Sequence, residues 1–508
     1  MADFGLFGLG VMGQNFALNV AEHGFTIAVN NRSPDKVDTT VKRAQEELGD
    51  QVGNLKGYYD SKEFVAALAK PRKVMFLVTA GPTVDKVIEN FGPLLEPGDM
   101  LIDGGNEWYQ NSEKRAKEIA EKYPGVQYVA MGVSGGEEGA RKGPSIMPGG
   151  PVDAYKALEP ILQKVSAQVE GEPCVTHCGV GSGCGNYVKM VHNGIEYGDM
   201  QLIGEAYTVL KMVGGLSNDE LSNVFAEWNK SELDSFLIQI TGEILAKKDV
   251  DCLNVANGEK LEEDTSRYMV DMILDRTGNK GTGKMTIKEG ADRSTACPTM
   301  SSALDTRFIS FEKDVRKKMQ GVLTGPDVPQ VEDKGMLIED VKNALYCSKI
   351  MSYAQGMNLI REASKANDWN VDLGECARIW RGGCIIRAGF LNRIKSAYDR
   401  NPALESLLID PTFSREVLDR QRAWRRIVAL NAQIGLPCPA FAASLAYFDM
   451  YRRETLPGAS LVQAQRDYFG SHTYERKDKP LGEMYHCLWS DAHNPATANA
   501  NKANAEDK

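Results

Sequence analysis

The sequence predicts an α/β chain: an N-terminal Rossmann-type doubly wound sheet, then a large all-helical domain with an internal duplication, then a C-terminal tail. Three observations predict it. A glycine-rich turn separates a short apolar run from a helical pattern at the N-terminus. Further strand-like runs each end in a turn of small residues, and from Gly183 onward alternation gives way to helical spacing. The expected boundaries are 1–182 for the sheet domain, 183–454 for the helical domain and 455–508 for the tail.

Phe4 to Phe7 predicts the first strand, Val11 to Glu22 a helix ending near Gly24, and Phe25 to Val29 the second strand. Between strand and helix, Gly8, Gly10 and Gly13 form G-x-G-x-x-G. One glycine permits a tight turn, one lets backbone approach a pyrophosphate, and one lets helix pack on strand, with the helix N-terminus facing the phosphate charge. In this context the motif reads as a dinucleotide site, with Val11 and Met12 at the helix start among its contacts. The end of the second strand selects the cofactor. An NAD site has Asp or Glu there for the ribose 2′-hydroxyl. Here the chain reads Asn31-Arg32-Ser33, and arginine with a hydroxyl suits a 2′-phosphate, so NADP is favoured. Val74 to Val78, Met100 to Ile102 and Tyr128 to Ala130 predict strands that precede "TAGPT", "DGGNEW" and "MGVSGGEEGA". Ligands sit at the carboxyl ends of such strands, so Val78, Thr79, Ala80, Asn106 and Ser134-Gly135-Gly136 should line a crevice. Serine followed by two glycines exposes backbone N–H groups suited to an anion.

The totals narrow the function. A net charge of −10 over 508 residues argues against general nucleic-acid binding. No apolar run approaches the ~20 residues of a membrane span. The ten cysteines are scattered; Cys174 and Cys178 lie four apart with no second pair or histidine pair, so no zinc site is expected and reduced cytosolic thiols are. The first motif begins by residue 4, which leaves no room for a transit segment; a cytoplasmic location is expected, or a plastid one if such a segment has been removed.

"NYVKMVHNGIEYGDMQ", residues 186–201, predicts a helix of unusual polarity. At about 100° per residue, Lys189, His192, Asn193, Glu196 and Tyr197 share one arc of roughly 140°. Val188, Val191, Ile195 and Leu202 occupy the other side, with Gly194 and Gly198 near them. Residues 195–206 resemble 352–363, and "EWN" at 227–229 is echoed by "IWR" at 379–381, which indicates a duplicated helical unit. At the same offset Tyr346 replaces Lys189 and Tyr353 replaces Glu196, so the core pattern repeats and the polar face does not. The "CGVGSGCG" stretch, 178–185, reads as a hinge. In the tail, Arg466, Tyr468, Phe469 and His472 look made to dock, and "NPATANANKANAEDK" reads as disordered.

With these stretches in view, the chain resembles the decarboxylating 6-phosphogluconate dehydrogenases. "GLGVMGQNFALN", "DGGNEW", "GVSGGEEGARKGPSIMPGG", "KMVHNGIEYGDMQLI", "KGTGK", "WRGGCIIR" and "QAQRDYFGSHTYE" carry the resemblance, from residue 8 to about 475. It implies oxidation of the C3 hydroxyl of 6-phosphogluconate with NADP and loss of CO2 to give ribulose 5-phosphate, in the pentose phosphate pathway and in gluconate utilization, without a metal. It implies Lys189 as general base and Glu196 as general acid. His192 and Asn193 would hold substrate hydroxyls, and Tyr197, Lys280, Thr282 and Arg307 the phosphate. Ser134, Gly135 and Gly136 would meet the carboxylate end, and Asn106 would bridge cofactor and substrate. Arg466 and His472 would reach the partner subunit's site, which implies a homodimer. Thr79 stands where many members carry a lysine, residues 289–304 diverge from the family text, and a short insertion follows Arg32. Two rivals are another NADP-linked β-hydroxyacid dehydrogenase and an NADP-sensing protein without catalysis.

Overall fold

Seven strands, β1 (Phe4–Phe7), β2 (Ile27–Asn30), β3 (Leu55–Tyr58), β4 (Lys73–Phe76), β5 (Met100–Asp103), β6 (Gln127–Val133) and β7 (Ile146–Gly149), form one sheet in the order β3-β2-β1-β4-β5-β6-β7. The first six run parallel and β7 pairs antiparallel with β6. The computed structural model describes residues 1–490; the polar end "NPATANANKANAEDK" lies outside the described residues. Strand order reverses between β1 and β4, the place where open α/β sheets take their ligands. The strands are apolar on both faces because each face carries its own core. Phe4 and Leu6 pack with Phe16 and Leu18 of α1 (Val11–Glu22), while Val74 and Phe76 pack with Phe64 and Phe91. β2 begins at Ile27, two residues later than the sequence suggests. The Phe25 N–H still bonds to Val20 O at 3.3 Å, and the Thr26 hydroxyl donates to Asp3 at 2.6 Å. β4 ends at Phe76, so Val78 lies in the turn beyond it.

Within the sheet domain α2 (Gly136–Lys142) follows the Ser-Gly-Gly turn; the helical part is organised by α3 (Cys184–Met212), α4 (Thr282–Asp292), α5 (Pro298–Phe311) and α6 (Lys334–Ala366). The two copies of the repeated text lie on α3 and α6, the 29-residue and 33-residue helices, and these pack together. Gly198 and Gly356 are explained by that packing, and Gly194 by packing on α4. A Cβ on Gly198 would stand 2.4 Å from Ser352 Oγ, one on Gly356 2.5 Å from Ile195, and one on Gly194 2.5 Å from Thr286 of α4. Close approach justifies the ~0.5–1 kcal/mol that a glycine costs within a helix.

Between α3 and α6, Asp199 and Lys349 form an ion pair at 2.6 Å with both side chains 1% exposed. Removing one partner of such a pair strands a buried charge. Asp199→Ala is therefore expected to destabilise the protein by about 3–5 kcal/mol in chemical denaturation. A loss below about 1 kcal/mol, the scale of an exposed pair, would show that Lys349 is not held by Asp199.

The start of α3 lies directly on β6 and β7. A Cβ on Gly185 would come within 2.2 Å of Met147 O and 2.3 Å of Ala130 O, and one on Gly132 within 2.4 Å of Lys189 Cβ. The preceding stretch, 178–185, is seated just as closely: side chains at Gly179 and Gly181 would strike Trp369, and one at Gly183 would strike Tyr109 O.

A second compact unit begins at Ala446. It holds helix α7 (Pro457–Gly470) and a hairpin of Tyr474–Glu475 with Met484–Tyr485. Asp467, fully buried, accepts bonds from Thr473 N, Cys487 N, Trp489 Nε1 and His486 Nδ1, which ties helix, hairpin and following chain into one body.

Candidate active site

The nucleotide side is a cavity of ≈ 1030 Å³ at the β1/β4 switch point. Gly8, Gly10, Val11, Met12, Gly13, Asn31, Arg32, Ser33, Val78, Thr79 and Asn106 all line it; Ala80, Ser134, Gly135 and Gly136 are not among the lining residues. The three glycines divide their work as the motif implies. Gly8 adopts φ +97°, and a side chain there would strike Leu77 O at 2.4 Å. Gly13 could hold none either, since its Cβ would lie 2.0 Å from Gly8 O. Gly10 faces open space, so the backbone at the N-terminus of α1 can be approached closely, and that helix carries no acidic residue in its first turn. These features fit a dinucleotide pyrophosphate. Asn31 also braces the glycine loop, because its Oδ1 accepts from Leu9 N at 3.0 Å. Lys36 and Lys86 line the cavity too and were not singled out in the sequence. Lys86 sits on Pro82–Phe91, where a lysine reads as an ordinary surface group until the fold turns it toward the mouth.

Lys280 lines the same cavity, which brings the "KGTGK" segment to the nucleotide side. Beside it runs a hydrogen-bonded chain. Lys189 Nζ donates to Ser134 Oγ at 2.9 Å and to Asn193 Oδ1 at 2.9 Å. Asn193 Oδ1 also pairs with His192 Nδ1 at 2.9 Å, and Asn193 Nδ2 donates to Thr282 Oγ1 at 3.1 Å. Ser134 Oγ lies 3.4 Å from His192 Nε2. Burial, assisted by the Lys189 charge, holds His192 well below its ordinary pKa, so the ring is neutral. A neutral ring fits one tautomer here: Nδ1–H donates to Asn193, and Nε2 is left to accept from Ser134. Trp380 stands edge-on to this ring at 5.7 Å.

Burial lowers the Lys189 pKa to about 8, with Glu196 pulling the other way. Glu196 is raised by burial against the opposing pull of Lys189, Arg307 and Lys280. Two groups of opposite type are thus each moved toward neutrality on one helix face. Arg307 stacks 3.5 Å above the Tyr197 ring and donates to Gly278 O at 3.3 Å. Gly135 (φ +98°) and Gly136 (φ +61°) form the turn before α2, and a Cβ on Gly135 would lie 2.6 Å from Gly383 O. The "WRGG" turn of the helical part therefore backs the Ser-Gly-Gly loop; Ser145 N donates to Gly383 O at 2.8 Å and seals the contact. Arg466 and His472 belong to the second unit. There Arg466 donates to Gln463 Oε1 at 2.9 Å and His472 packs edge-on to Phe469. Among the described residues no three His, Cys, Asp or Glu side chains gather as a metal site.

A dinucleotide cavity with a buried lysine of lowered pKa close by defines a class, the nucleotide-dependent dehydrogenases. The family model for the NAD binding domain of 6-phosphogluconate dehydrogenase matches residues 3–179, and that for the 6-phosphogluconate dehydrogenase C-terminal domain matches residues 185–489. The chain is 57% identical to a 6-phosphogluconate dehydrogenase, decarboxylating 1, of Spinacia oleracea, over 96% of this chain and 97% of that one. It is 54% identical to a chloroplastic form from Arabidopsis thaliana, over 96% and 98%. Among solved structures, the Plasmodium falciparum 6-phosphogluconate dehydrogenase, studied in its apo form and with NADP+ and 6-phosphogluconate, superimposes with a TM-score of 0.87 at 50% identity, covering 96% of this chain and 100% of that one. The chain belongs to the 6-phosphogluconate dehydrogenase family.

Proposed function

We propose that the protein oxidises 6-phosphogluconate with NADP and releases CO2, leaving ribulose 5-phosphate. The observation that carries this reading is the Lys189 ammonium, buried, lowered to about 8 and bonded to Ser134 beside the nucleotide cavity. Neutral Lys189 takes the proton of the C3 hydroxyl. Gly10, Arg32, Ser33 and Asn106, which line the cavity, would hold NADP, whose chemistry would be to take the hydride from C3. The resulting 3-keto acid loses its carboxylate as CO2, and protonated Lys189 stabilises the charge growing on the C3 oxygen. Glu196, whose proton is held more firmly because burial raises its pKa, delivers a proton to the enediol carbon. His192 and Asn193 hold hydroxyls, Ser134, Gly135 and Gly136 receive the carboxylate end, and Asn106 spans cofactor and substrate. Tyr197, Lys280, Thr282 and Arg307 bind the phosphate.

The same proposal divides the chain into an NADP-binding domain (1–182), a substrate and dimerisation domain (183–454) and a tail (455–508) whose Arg466 and His472 enter the partner subunit's site. Leu461, Val462 and Phe469, all well exposed on α7, support a docking tail. No helix among the described residues is long and apolar enough to cross a membrane. The proposed compartment is the cytoplasm, with the plastid as second reading because several relatives are chloroplastic forms.

Nicotinamide absorbance with 6-phosphogluconate and NADP, run beside NAD and beside gluconate with CO2 collected, tests the reading; reduction without CO2 would refute it. Arg32 supplies a further test. Losing a charged hydrogen bond of about 1.5–3 kcal/mol, Arg32→Gln should raise the KM for NADP by roughly 10–100-fold and leave that for NAD nearly unchanged. Equal losses with both cofactors would remove Arg32 from the 2′-phosphate site.

A further inference from the structure

The loop after β4 carries Val78 and Thr79 into the nucleotide cavity, and the loop after β5 carries Asn106. The two are joined by a buried clamp behind the cavity wall. Asn106 is exposed toward the cavity, whereas the next residue, Glu107, is 4% exposed and turns inward. One Glu107 oxygen accepts from Gly81 N at 2.7 Å and from Arg115 at 2.6 Å; the other accepts from Trp108 N at 2.8 Å and Asn111 Nδ2 at 3.0 Å. Arg115 also donates to Gly81 O at 3.0 Å and to Asp85 at 2.6 Å. Both polar groups of Gly81 are therefore held, at a residue whose φ of +91° only glycine adopts freely. On the far side, Asn186 at the start of α3 donates to Gly105 O at 3.0 Å and accepts from Ser112 at 2.8 Å, which fixes the base of the Asn106 loop to the catalytic helix.

We infer that Glu107 and Arg115 are positioning residues that fix the Val78–Thr79 loop against Asn106 and so set the nicotinamide end of NADP over the Lys189 face. The inference rests on the proposed function for the identity of the cofactor. Glu107 touches neither cofactor nor substrate; it acts through the two loops. Arg32 lies at the other end of the site, on the loop after β2, and receives nothing from the clamp.

The test uses the full-length Glu107→Gln and Arg115→Lys variants, with NADP and 2′,5′-ADP as probes. The latter has the Arg32-facing half of the cofactor and lacks the nicotinamide half. Glu107→Gln removes the charge from the hydrogen bonds that hold the loop, so NADP affinity should fall about 10–100-fold while 2′,5′-ADP changes less than about 3-fold. Arg115→Lys, which retains the charge, should fall between wild type and Glu107→Gln; it also decides the matter if Glu107→Gln does not fold. Equal weakening of both probes would show general damage to the domain and overturn the inference, as would unchanged affinity for both. A wild-type protein that binds NADP and turns over no 6-phosphogluconate would sink the proposed function alone, since the two-probe comparison stands on binding.

Discussion

Lys189→Met should abolish turnover while NADP still binds. Removal of a positioned general base costs about 10²–10⁴-fold, and in the proposed mechanism Lys189 acts twice, as base and then as the cation facing the C3 oxygen, so kcat should fall toward the larger figure. Isothermal titration with NADP on the same sample separates loss of chemistry from loss of fold. The wild-type pH profile follows from the same residue. Its pKa is lowered to about 8, and the neutral amine is the active form, so kcat/KM should rise with pH through about 8 and approach a plateau above it. A profile flat from pH 6 to 9, or a variant retaining a tenth of wild-type kcat, would remove Lys189 from the role of base.

Gly132→Ala should be nearly as damaging without touching substrate. The added methyl would meet Lys189 Cβ at 2.4 Å, and neither β6 nor the start of α3 can retreat, because Gly185 is already pressed against Met147 O and Ala130 O. Overpacking at such a site costs about 1–3 kcal/mol of stability. The larger effect is on chemistry. Lys189 would be pushed off its bonds to Ser134 and Asn193, and a displacement of about 1 Å can cost roughly 100-fold in kcat. NADP affinity should change little. Wild-type kcat in this variant would mean that the lysine stem swings aside freely.

Much of this site was legible in the sequence because its chemistry is local. Gly8, Gly10 and Gly13, set between a strand and a helix, announce a phosphate turn, and 3.6-residue periodicity is enough to place Lys189, Asn193 and Glu196 on one face. The glycines at 194 and 198 stand out in the sequence on the apolar side of that helix, but nothing local tells that α4 supplies one neighbour and α6 the other. Contacts between distant residues stayed hidden. Gly132 in a strand looks no different from any other strand glycine until Lys189, 57 positions on, is laid across it. The bonds from Arg115 to Gly81 and from Asn186 to Gly105 span long separations and leave no periodic trace. Lys36 and Lys86 were passed over because helical surface lysines are common, and only the fold shows which ones overlook the cavity. Strand ends slipped by one to three residues; at the start of β2 the Thr26 hydroxyl is taken by Asp3 instead.

Gly132, Gly185, Gly194 and Gly198 leave the long helix α3 no slack against the sheet, α4 or α6. Adaptability in this molecule is consequently one-sided. A change that enlarges any of those four contacts shifts the wall that bears the lysine, so substrate preference cannot drift by small steps there. The nucleotide mouth, open beside Gly10 and edged by Arg32, Lys36 and Lys86, can absorb substitutions singly. Variation among descendants of this chain should therefore alter which cofactor is taken, and how tightly, long before it alters which sugar acid is accepted.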